Sequence, residues 1–159
     1  MTSTVTTPTE TAAPSTGRTG LPAVLARRWP TGVAFVATAA SLTLVSPLPE
    51  QVQVWTSAWC VLLAAVIYLT WGTARGELAA RRWLTAQTTG VLAFGAIAIT
   101  AAAVDPDAAR YVLAAGWTAH AAWDALHHRL GRVVPRWYAE TCLVADLCLA
   151  TVLLTVGLV

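Results

Sequence analysis

Five long apolar blocks, separated by short links rich in arginine and proline, constrain this chain more than any other feature of its sequence. They run from about Pro30 to Ser46, Val54 to Gly72, Trp83 to Val104, Asp107 to His128, and Trp137 to Leu158. At a rise of about 1.5 Å per residue, each block as a helix matches a hydrocarbon layer of ~30 Å. A spanning segment must satisfy its backbone polar groups internally, so the blocks are expected to be helices. The expected fold class is all-α: a polytopic bundle of five transmembrane helices over residues 22–159. Composition agrees, with 57% apolar and 11% charged residues, against roughly 45–50% and about 25% in soluble domains.

Orientation follows from the basic residues, all of which are arginine. Arg18, Arg27 and Arg28 precede the first block, Arg75, Arg81 and Arg82 separate the second from the third, and Arg129, Arg132 and Arg136 separate the fourth from the fifth. Only Arg110 falls on the other side. Positively charged loops stay in the cytoplasm, which predicts a cytoplasmic N-terminus in a multi-pass protein of the bacterial inner membrane. Trp29, Trp71, Trp83 and Trp137 fall at the same boundary, as an aromatic belt requires. Residues 1–21, rich in Thr, Ser, Pro and Gly, read as a disordered tail and not as a secretory signal. The net charge of +2 leaves no nucleic-acid footprint. The expected partners are therefore the lipid bilayer and an apolar small molecule. Cys60, Cys142 and Cys148 lie inside apolar blocks and form no disulfide framework.

The fourth block departs from this apolar pattern. It holds all three histidines of the chain, His120, His127 and His128, together with Asp124. At ~100° per residue, with His120 at zero, His127 falls near about −20°, Asp124 near about +40° and His128 near about +80°. All four therefore project from one side of the helix. Trp123 and Trp117 flank that face. In an antiparallel fifth helix, Asp146 lies at the depth of His120 and Cys142 at that of Asp124. Glu140 points elsewhere and closer to the surface. Gln87, Thr88 and Thr89 on the third helix, and Tyr68 on the second, are level with the cluster and could complete its wall.

An aspartate at mid-membrane costs about 2.5–3.5 kcal/mol on insertion scales, so such residues face the bundle interior and mark function by default. Imidazoles and carboxylates at helical spacing converge on metals in helix bundles. Nitrogen and oxygen donors suit zinc or non-haem iron, with copper ranked after them. In the metal version His120, Asp124, His127, His128 and Asp146 supply ligands, with Asp146 orienting His120 or completing the shell. In a metal-free version, without cofactor, Asp124 or Asp146 delivers a proton and His120 relays it, as in a cyclase or isomerase. Either gives a membrane-embedded enzyme for a lipid or isoprenoid-like substrate, with Trp117, Trp123, Cys142 and Gln87 as pocket wall. The competing class is a non-enzymatic subunit or carrier, in which a His–Asp pair merely joins helices.

Gly116-Trp117, His120, Trp123-Asp124, His127-His128, Pro135, Cys142 and Asp146 together resemble a pattern in an uncharacterised, domain-of-unknown-function family of small bacterial integral membrane proteins. The resemblance covers the chain from Gly116 onward and implies a shared site without a transferable activity. Membrane desaturases, hydroxylases and ceramidases use a similar logic of metal between helices, but this chain lacks their multiple histidine boxes.

Overall fold

The computed structural model describes residues 28–158, so the tail expected over residues 1–21 lies outside the described residues. Five helices follow in order: α1 Trp29–Val45, α2 Glu50–Ala74, α3 Arg81–Ala103, α4 Pro106–Leu130 and α5 Arg136–Thr155. Local chemistry sets several of these boundaries. Pro30 opens α1, and Pro49 and Pro135 immediately precede α2 and α5. Pro106 occupies the first turn of α4, and the Asp105 carboxylate accepts from the Ala108 N–H at 3.0 Å, satisfying a free helix-terminal donor. Gly131 ends α4 in the left-handed region at φ 61° and donates its N–H to the His127 carbonyl.

Consecutive helices alternate in direction. Arg132 before α5 reaches Glu77 after α2 at 2.9 Å, and the Thr141 hydroxyl of α5 reaches the Pro30 carbonyl of α1. These contacts put the starts of α1, α3 and α5 at one end with the finishes of α2 and α4. Arg28, Arg75, Arg81, Arg82, Arg129, Arg132 and Arg136 consequently gather at that end, while Arg110 lies at the other, against Gly157.

α4 is the central helix, packed on α2, α3 and α5, whereas α1 lies on the outside of α5. Two apolar clusters hold the bundle. The larger joins Val61 of α2, Phe94 of α3, Leu113 and Trp117 of α4 and Leu153 of α5. The smaller, at the arginine end, joins Tyr68, Leu78, Val133, Val134 and Ala139. Gly116 permits close approach of α4 to α3, since a Cβ there would sit 2.8 Å from Ile97 Cγ2.

Three helices, α2, α3 and α5, are long and apolar enough to cross a membrane. The other two differ from the sequence expectation for distinct reasons. α1 is apolar but has only 17 residues, about 25 Å of helix. α4 has ample length at 25 residues, but it carries the polar cluster. His120, Asp124 and His127 are buried there against three neighbouring helices.

Candidate His–Asp–Asp site

The site lies where α4 meets α5, α2 and α3. His120 and Asp124, one turn apart on α4, have no solvent exposure, and Asp146 of α5 is 4% exposed. His120 Nδ1 lies 2.7 Å from Asp146 Oδ2 and 3.6 Å from Asp124 Oδ2. A carboxylate oxygen accepts, so the short contact assigns the imidazole proton to Nδ1. Tyr68 of α2 donates its hydroxyl to Asp124 Oδ1 at 2.6 Å. The phenol ring of Tyr68 and the ring of Phe94 lie edge-on to the imidazole, with centroids 5.8 and 4.8 Å away. The α4 periodicity that brings His120 and Asp124 onto one face is thus met by one residue from each neighbouring helix.

Two polar atoms of this network lack any partner: His120 Nε2 and Asp124 Oδ2. In the neutral imidazole, with its one proton on Nδ1, Nε2 carries a free lone pair. Oδ2 is likewise a free acceptor. A buried polar atom with no partner costs about 1–3 kcal/mol, and here two acceptors bear that cost on adjacent turns of one helix. His120, Asp124 and Asp146 can each offer one ligand atom such that all lie within 4.8 Å of one another, so the group could hold a metal ion.

The remaining sequence candidates divide. His127 is buried, but both ring nitrogens are engaged: Nδ1–H donates to the Trp123 carbonyl at 2.9 Å, and Nε2 accepts from Gln87 Nε2 at 2.9 Å. It has no lone pair left for a metal, so the structure places it beside the ligand group and not in it. His128 points away from the group, with its side chain 40% exposed and its Nε2 3.9 Å from Glu140 Oε2. The angular count put His128 at the edge of the common face, and packing leaves that edge outside. Glu140 instead joins Arg28 and Thr31 at the boundary of α1.

Among the wall residues, Gln87 is 1% exposed and fixes His127. Trp123 packs over Gly90 and beside His127 and Phe94. Trp117 belongs to the apolar core and donates its indole N–H to Ser57 Oγ at 2.9 Å. Cys142 is a half-buried free thiol. Thr88 bonds back to the Leu84 carbonyl of its own helix, and Thr89 is exposed, so neither completes the wall. Sequence reasoning missed Phe94, for an isolated phenylalanine in an apolar helix carries no signal of its own. Tyr68 had a weak signal, a polar tip in an apolar block, and proves to be the direct partner of Asp124.

Compared with known proteins, the chain matches no family model, no curated protein and no solved structure.

Proposed function

We propose that the chain is a five-span protein of the bacterial inner membrane, N-terminus cytoplasmic, and a membrane-embedded enzyme acting on a lipid-like apolar substrate through His120, Asp124 and Asp146. The observation that carries this reading is the pair of unpartnered buried acceptors, His120 Nε2 and Asp124 Oδ2. Helix pairing alone does not call for them, since a pair that merely joins helices is served by the His120–Asp146 bond. Buried acceptors without a hydrogen bond can receive a cation or a proton, although Asp124 Oδ2 also has His120 Nδ1 3.6 Å away, beyond hydrogen-bond length. The grouping of arginines at one end of the bundle supports the topology. The enclosure of α4 by three helices supports counting it as a span despite its polarity.

The donor set favours a metal. Asp146 holds the Nδ1–H side of His120, which leaves Nε2 as the ligating nitrogen in the carboxylate–histidine arrangement common at metal sites. Asp124 supplies an oxygen, and Tyr68 steadies its carboxylate. One imidazole and one or two carboxylates suit zinc or non-haem iron. Such an ion, when bound, would polarise a substrate oxygen or activate a water. The protein contributes orientation, exclusion of water and a proton relay from Tyr68 through Asp124.

A second reading starts from one distance. Two ligands of a tetrahedral ion bound at about 2.0–2.1 Å lie roughly 3.3 Å apart, whereas His120 Nδ1 and Asp146 Oδ2 are separated by 2.7 Å. That pair is a hydrogen bond, and it equally suits metal-free acid–base catalysis in which Asp146 orients His120 and Asp124 moves the proton.

Metal content by mass spectrometry, on detergent-purified protein prepared without chelator, separates the two readings. About one equivalent of zinc or iron in the wild type, lost in both His120→Ala and Asp124→Asn, is the expected result. A metal-free wild type would remove the metal reading and leave the acid–base one. Metal retained in Asp124→Asn and His120→Ala would place the ion elsewhere.

A further inference from the structure

The buried Tyr68 is the inner end of an unbroken run of oxidisable rings that reaches the arginine-rich boundary of the bundle. Tyr68 lies 6.2 Å from Tyr138; Tyr138 lies 4.8 Å from Trp71 and 5.8 Å from Trp137, which is itself 6.3 Å from Trp71; and Trp137 lies 5.3 Å from Trp29, all measured between ring centroids. The outer two rings, Trp29 and Trp137, are 48% and 43% exposed, while Tyr68 has no exposure. Interface anchoring accounts for tryptophans that point outward at a membrane boundary. It does not account for the inward continuation through Trp71 and Tyr138, which are half-buried, to a phenol hydrogen-bonded to a buried carboxylate.

We propose that this run is a one-electron relay linking the His–Asp–Asp site to the membrane surface, with Tyr68 as its redox-active terminus. The inference uses the ring positions and the Tyr68–Asp124 bond, and it does not rest on the enzymatic reading above. Tyrosine and tryptophan are the side chains most readily oxidised by one electron through their rings, and contact between neighbouring rings makes each step short. The reaction balances as follows. A one-electron oxidant at the surface takes an electron from Trp29 or Trp137, and the electron deficit passes inward across Tyr138, reached from Trp137 directly or by way of Trp71. Tyr68 gives up one electron, and its hydroxyl proton moves along the 2.6 Å hydrogen bond to Asp124 Oδ1. The products are a neutral tyrosyl radical, a protonated carboxyl group and the reduced oxidant. The physiological partner would be a one-electron carrier that docks at the arginine-rich end.

The test is photo-oxidation of the full chain in detergent by ruthenium tris-bipyridine with a cobalt(III) acceptor, followed by freezing and electron paramagnetic resonance. The measurement is made in a Tyr111→Phe background, because Tyr111 is exposed at the opposite end. A tyrosyl signal is expected that disappears in Tyr68→Phe and falls several-fold in Tyr138→Phe, a change that keeps a ring but removes an oxidisable one through which both Trp71 and Trp137 reach Tyr68. Both variants preserve aromatic packing, and elution at the wild-type volume in gel filtration confirms the fold. A signal that persists in Tyr68→Phe, an unchanged yield in Tyr138→Phe, or no tyrosyl signal at all would overturn the relay.

Discussion

Removing Asp146 tests whether the His120–Asp146 pair is helix glue or part of a site held under strain. Interhelical hydrogen bonds in membrane bundles contribute about 0.6 kcal/mol on average and about 1.7 at most. In this bundle the loss should be larger. His120 is fully buried and its Nε2 already lacks a partner. Asp146→Ala therefore leaves Nδ1–H with only Asp124 Oδ2 in reach, at 3.6 Å and too long for a hydrogen bond as the bundle stands. Adding about 1–3 kcal/mol for the newly orphaned N–H to the lost bond gives roughly 2–4 kcal/mol. Asp146→Asn keeps an acceptor for Nδ1–H and should cost about 1 kcal/mol or less. The double variant His120→Phe/Asp146→Leu removes both partners, so it should be more stable than Asp146→Ala and close to or above the wild type, as with buried polar pairs replaced by apolar side chains. Unfolding by sodium dodecyl sulfate in mixed micelles, with the four proteins side by side, reads these differences. If Asp146→Ala falls within about 0.6 kcal/mol of the wild type, or the double variant is the least stable of the four, the assignment of a strained site is refuted.

Three further expectations follow from particular contacts. His127→Phe should leave metal stoichiometry at the wild-type value in the same mass-spectrometric measurement, because both nitrogens of His127 are already bonded; loss of metal there would return His127 to the ligand set. Gly116→Val should destabilise the bundle by about 1–3 kcal/mol through overpacking against Ile97, whose Cγ2 would meet even a first Cβ at 2.8 Å, and the same micelle titration measures it. At the arginine end, the hydrogen bond from Arg132, and secondarily that from Arg75, holds the Glu77 carboxyl below its ordinary pKa. A lowered folded-state pKa gives stability that is present above about pH 4.3 and lost as the pH falls through the folded value. Glu77→Gln should therefore remove part of the acid sensitivity while changing stability at neutral pH by less than about 1 kcal/mol, which thermal unfolding across that window would show.

The sequence by itself determined the helical architecture, because long apolar blocks satisfy their backbone polar groups most readily within a helix. Apolar blocks bounded by Pro47, Pro49, Pro106 and Pro135 mark helices whatever their neighbours do, and the described residues form five helices in those blocks. The 3.6-residue repeat likewise put His120, Asp124 and His127 on one face, since that relation is internal to a single helix. Antiparallel counting across the short α4–α5 link found Asp146 as well, and the 2.7 Å contact realises that register.

Tertiary structure decided which polar atoms are free. His127 and His120 look alike in sequence, yet Gln87 of another helix takes the remaining nitrogen of His127, while the Nε2 of His120 is left bare. His128 shares the histidine-rich segment but is part-exposed beside Glu140, near the start of α5 and away from Asp146. Tyr68 lies on a different helix, and its bond to Asp124 depends on how α2 crosses α4. Helix rotation and crossing are set by side-chain packing between elements, with Gly116 against Ile97 and Gly90 against Trp123 as the close approaches. A one-dimensional pattern lists donors and acceptors, but pairing depends on distances between helices, and those exist only once the bundle has packed.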